Sequence, residues 1–145
     1  MYLPSYSLSA SMTRQSAPAC TAPQIASVSA FQATATQTVQ ITGNCFGTGN
    51  TSSAVDTAYF RISDLTKGWN ACWTLDPDTD SVTCDISSWT AQGITFSGYT
   101  GDYGAYTVDA GDQIKVQVWN PQSGKGPATC QVVAGSGANN DCSGT

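Results

Sequence analysis

The feature that most constrains this chain is its rhythm. Short runs rich in Val, Ile, Thr, Phe and Tyr alternate with clusters of Gly, Asn, Asp and Ser along residues 25–134. Runs of that length between such breakers read as strands and turns. The expected strands lie near 25–30, 38–43, 57–63, 69–75, 81–87, 93–97, 113–119 and 128–134. No stretch has the 3.6-residue apolar period of an ordinary amphipathic helix, and Glu, a good helix former, is missing altogether. Eight short strands with regularly spaced turns predict an all-β, two-sheet sandwich of immunoglobulin-like type. At 145 residues the chain suits one domain, which should bury roughly 68% of its unfolded surface.

Composition then excludes whole classes of function. There is no His, so His-based triads, His-ligated metals and His acid–base steps are excluded. Glycosidase chemistry would fall to a pair of Asp, and no sequence feature brings a particular pair together in a cleft. The expectation is therefore no enzyme. Five basic against ten acidic residues leave no basic patch, which argues against nucleic acid and anionic membranes as partners. No apolar run approaches the ~18 residues of a membrane-spanning helix.

The six cysteines, at 20, 45, 72, 84, 130 and 142, contain no Cys-x-x-Cys pair. Zinc ribbons and thioredoxin-like sites are thus disfavoured. An even count at wide spacing suits disulfides and a secreted, extracellular setting. Residues 1–19 lack an apolar signal-peptide core and read as a linker remnant or an added end. The module proper is expected over 20–134, with 135–145 a linker-like tail that Cys142 could tie down.

Alternation assigns faces. Val39, Ile41, Phe60, Ile62, Ile94, Phe96, Ile114, Val116 and Val118 should be core. Tyr59, Arg61, Lys115, Gln117 and Trp119 should face outward. In the segment 68–87, Asp76-Pro77-Asp78-Thr79 is a good turn, with Cys72 and Cys84 symmetric about it. A hairpin there would pair Cys72 with Cys84 as a cross-strand disulfide contributing about 3 kcal/mol. It would bury Cys72, Val82, Cys84 and Ile86. Trp69, Ala71 and Trp73 would share the opposite, polar face with Thr83, Asp85 and Ser87, so both tryptophans are expected to be exposed, roughly 13 Å apart.

Exposed flat rings mark interaction sites. They stack on the C–H faces of pyranose rings while polar neighbours bond the hydroxyls. The expected ligand platform is Trp69 and Trp73, extended by Trp119 and Tyr59, with Arg61, Asp85 and Gln117 as polar partners. Three further groups carry candidate roles. Tyr99, Tyr103 and Tyr106, in a Gly-rich loop over 98–112, could form a rim, but an ordered Tyr-packed connection is favoured. Asp76, Asp78 and Asp80 alternate as calcium ligands can, but Ser81 and Ser87 stand where a calcium loop needs Gly and Glu. A solvated turn is expected there, and neither a metal nor another cofactor. Trp89 reads as structural, plugging one end of the sandwich.

Residues 23–47 resemble the opening of IPT/TIG domains, through the corner Gly43-Asn44-Cys45-Phe46-Gly47. The stretch around Trp89 resembles the Trp-containing strand entry of that fold. Residues 111–133, with their tight Asn-Pro-x-Ser-Gly hairpin, resemble its last two strands. Such domains serve many functions. With GWNACW and GYTGDYG added, the chain resembles β-glucan-binding modules of bacterial endoglucanases, in particular carbohydrate-binding module family 81. That resemblance implies a non-catalytic module with affinity for β-1,4- and mixed-linked β-glucans (cello-oligosaccharides, xyloglucan), monomeric and tethered to a glycoside hydrolase. A structural spacer, adhesin or surface-fibre subunit is the alternative. In the topology so implied, Cys45 could pair with Cys130 and Cys20 with Cys142, or Cys20 with Cys45 and Cys130 with Cys142.

Overall fold

The computed structural model describes residues 20–75, 82–101 and 107–142. Ten strands form two antiparallel sheets, with no helix among the described residues. In chain order they are β1 (Gln24–Val28), β2 (Thr36–Asn44), β3 (Ser52–Val55), β4 (Phe60–Asp64), β5 (Trp69–Ala71), β6 (Val82–Trp89), β7 (Gly93–Gly101), β8 (Gln113–Val118), β9 (Ala128–Val133) and β10 (Asn140–Asp141). The large sheet has the order β10-β1-β2-β7-β6-β3 and the small sheet β5-β4-β8-β9. Within these, β1-β2-β7-β6 against β4-β8-β9 is the Greek-key order of an immunoglobulin sandwich. Strands β3, β5 and β10 widen it at the edges.

The inward set is the one alternation predicts. Val39, Ile41, Phe60, Ile62, Ile94, Phe96, Ile114, Val116 and Val118 are all buried between the sheets. Trp89 is buried at one end, where its Nε1–H donates to the carbonyl of Phe46 at 3.0 Å. Asn120 opens the tight turn between β8 and β9, and its amide donates to the carbonyl of Cys45. That bond locks the Gly43–Gly47 corner to the turn.

All six cysteines are paired: Cys20–Cys45, Cys72–Cys84 and Cys130–Cys142. Of the two schemes left open for the outer four, the second is present. Residues 135–142 depart from the linker expectation. They return as β10 beside Ser27 and Val28, and Cys142 is buried. Strand β3 also lies where no strand was expected, because its four residues carry three exposed positions and no apolar alternation.

The 72–84 hairpin is absent. Strand β5 pairs with β4 in the small sheet, whereas β6 pairs with β7 and β3 in the large one. The Cys72–Cys84 bond therefore crosses from one sheet to the other. The Asp76–Asp80 turn, Tyr103, Tyr106 and residues 1–19 lie outside the described residues.

Candidate functional site

Cys72 adopts a φ of 73°. A left-handed residue reverses the alternation of the chain that follows it. Before it, Trp69 and Ala71 keep the inward parity of β5 opposite Asp64 and Ile62, and both are buried. After it, Trp73 leaves the core and joins the outer surface of the small sheet. The expectation that Trp69 is exposed is thus corrected. Its ring lies edge-on to Tyr99 at 5.6 Å, and its Nε1–H donates to the carbonyl of Thr107.

Tyr99 is packed, as favoured, but on a strand and not in a loop connection. It stands on β7, buried, after Gly98 at a φ of 128°. A Cβ at Gly98 would collide with the carbonyl oxygen of Ala35, so only glycine lets β7 pass there. The reversal turns Tyr99 inward beside Phe96 instead of leaving it on a loop rim.

Trp73 meets Trp119, which follows β8 with outward parity. The two half-buried rings stack with centroids 5.7 Å apart and planes within 11°. The Arg61 guanidinium sits 4.4 Å from the Trp73 ring centroid, a cation–π contact. Arg61 is aimed by Asn70, whose Oδ1 accepts from its Nε and Nη2 and from the Ser63 hydroxyl. Trp73 is held in turn by its Nε1–H, which donates to the carbonyl of Ala58 at 3.2 Å. These bonds fix the rings without closing them off from solvent.

Gln117 stands opposite Arg61 across the β4–β8 pair and is only 9% exposed. Its Oε1 has no hydrogen-bond partner among the described residues, an arrangement that is costly unless a ligand or water supplies the donor. Tyr59 adjoins the cluster through its carbonyl, which accepts from the Trp119 N–H, but its ring packs against the core. Asp85 is not part of the cluster. It lies on β6 in the large sheet, opposite Gly98, so the polar set reduces to Arg61 and Gln117.

Of the expected residues, then, the fold gathers Trp73, Trp119, Arg61 and Gln117, with Tyr59 at the margin. It removes Trp69 to the core and Asp85 to the other side of the sandwich. The rings also form a stack, not a row lying side by side. Asn70 and Ser63 are additions that strand parity could have supplied, since Ser63 shares the face of Arg61 and β5 must border β4 for Asn70 to reach both.

Elsewhere, the structure does bring two carboxylates together. The Asp64 and Asp112 carboxyls meet at the loop-bearing end of the small sheet, where one can hydrogen-bond the other when protonated. Burial, then that bond, raises the Asp64 carboxyl to about 6, while the same bond holds Asp112 below its ordinary range. Lys67 pairs with Asp112 at 3.2 Å and with Asp109 at 2.9 Å. Both Asp64 and Asp112 are buried, and Lys67 ties the 107–112 segment to the β4–β5 turn through the Thr107 carbonyl and Asp112. No group of three His, Cys, Asp or Glu residues able to hold a metal ion occurs among the described residues. Comparison with protein-family models, curated proteins and solved structures found no match.

Proposed function

We propose that this protein is a non-catalytic carbohydrate-binding module for β-glucan chains, carried by a secreted protein and tethered to a glycoside hydrolase. The observation that carries the reading is the Trp73–Trp119 stack, half-exposed on the outer face of the small sheet with the Arg61 guanidinium against the Trp73 ring. A sugar ring laid on the open face of Trp119 gains apolar contact. Its hydroxyls can accept from Arg61 where that side chain is not held by Asn70. The ring stack offers one strong stacking position, so chain length adds affinity less steeply than on an extended row of rings. Three disulfides, and the lack among the described residues of a helix long and apolar enough to cross a membrane, are compatible with an extracellular setting. A tether of this kind raises the local concentration of its enzyme on polysaccharide.

The test is a titration with a soluble cello-oligosaccharide, following heat and tryptophan fluorescence together, and repeated with mixed-linked glucan and xyloglucan. Binding with a spectral change is expected, and Trp119→Ala should lose about 1–3 kcal/mol of it. Silence in both signals for every glucan removes the reading. Weight then passes to an immunoglobulin-like spacer, adhesin or surface-fibre subunit, a role that the sheet-to-sheet disulfides alone would suit. Release of reducing sugar above background by the isolated chain would instead show catalysis.

A further inference from the structure

The chain carries ten acidic residues against five basic ones, yet the outer face of the small sheet has the opposite sign. Its four strands hold three charged residues, Arg61, Asp64 and Lys115. Asp64 points inward and is buried, so both charges left on the outer face are positive. Other acids stand elsewhere. Asp85 and Asp141 belong to the large sheet, and Asp109 and Asp112 pair with Lys67. Asp56 lies in the link before β4, where the Thr74 hydroxyl donates to it.

Both cations have bonding capacity to spare. Asn70 is neutral, so it aims the Arg61 guanidinium without cancelling its charge, and Nη1 has no acceptor among the described residues. Lys115 is half-buried, and its ammonium has no ion pair among the described residues. Arg61 stands opposite Gln117 and Lys115 opposite Ser63. They are therefore diagonal neighbours on adjacent strands, about 7–8 Å apart, and their long side chains can reach one group between them. Like charges so placed repel, and an anion held between them relieves the repulsion. A carboxylate suits the guanidinium fork best. Arg61 also touches the Trp73 ring, so this anion would lie beside the stack. Lys115 lies four residues before Trp119, roughly 13 Å along the strand direction, so a ligand meeting both is an oligomer.

We propose, resting on the sugar-binding role of the ring stack, that this face selects acidic glycans. One sugar stacks on the rings, and the carboxylate of a neighbouring uronate in the same chain is held between Arg61 and Lys115.

Two oligosaccharides of equal length test this. One is a cello-oligosaccharide, and the other is the β-1,4-linked glucuronate oligomer, which differs only in its carboxylates. Calorimetry at low salt should show the glucuronate binding at least about tenfold more tightly, the size of one charge-assisted hydrogen bond. That advantage should shrink as salt rises. Lys115→Gln should cut the ratio to under about threefold, and Lys115→Arg, which keeps the charge, should retain it. Trp119→Ala should weaken both ligands. Equal affinities, tighter binding of the neutral oligomer, or a ratio unmoved by salt or by Lys115→Gln overturn the uronate site and leave the β-glucan reading standing. Glucuronate binding beside a silent cello-oligosaccharide keeps the site and removes the neutral-glucan reading. Silence with both ligands removes both.

Discussion

The Asp64 and Asp112 carboxyls are displaced in opposite directions, and the sign of each displacement fixes what pH does to stability. The Asp64 carboxyl is raised to about 6 from 3.8, chiefly by burial. Between those values the folded chain binds more protons than the unfolded one, so stability falls as pH rises through about 6. Asp112 is displaced the other way, chiefly by the bond from Asp64. Its contribution is present above the ordinary carboxylate range and fades only in stronger acid. Across pH 5 to 8, therefore, Asp64 alone should tilt the curve. Asp64→Asn keeps an acceptor for the Lys67 N–H and gains a permanent donor toward Asp112. Thermal midpoints of the unaltered chain should drop across this window, whereas those of Asp64→Asn should stay level. Parallel curves would show that Asp64 is not the titrating group.

At the scale of elements, most of the sandwich is legible in alternation, and the failures share one physical cause. The core positions of β2, β4, β7 and β8 follow from period 2 because those strands are regular at Val39–Ile41, Phe60–Ile62, Ile94–Phe96 and Ile114–Val118. Parity fails at Cys72 and Gly98, where a positive φ reverses the side-chain sequence. A Gly can signal such a reversal, but Cys72 carries no composition cue, and its symmetry with Cys84 about a good turn mimics a hairpin. The disulfide was therefore legible while the sheets it joins were not. Trp73 reached the outer face by this reversal, while Trp119, Arg61 and Gln117 were placed by parity alone. The consequence for β5 is testable. Trp69→Ala should destabilise the fold by about 3–5 kcal/mol, as buried Trp truncations do. Trp69→Phe keeps a ring against Tyr99 and forfeits the bond to Thr107, at about 1 kcal/mol. Neither change should alter glucan affinity in folded protein, in contrast to Trp119→Ala. A loss of affinity in folded Trp69→Phe would return Trp69 to the binding surface.

At the scale of the molecule, the disulfides have unequal positions. Cys72–Cys84 joins the end of β5 to β6, and Cys130–Cys142 joins β9 to the end of β10. Each clamps the small sheet to the large one, and the strand orders place the two clamps at opposite lateral edges. A sandwich with both seams covalently closed cannot open sheet from sheet without first breaking a bond. All four of those cysteines are buried, whereas Cys20 is exposed and Cys45 half-buried. A thiolate must reach sulfur to exchange, so access rather than chemistry should order the reductions. Mild reductant followed by alkylation and mass spectrometry should release the Cys20 and Cys45 thiols early. The other four should appear only at the rate of global unfolding, and a stabilising glucan should slow that second phase without slowing the first. Early alkylation of Cys72 or Cys84 would mean that the β5–β6 seam opens in the native state.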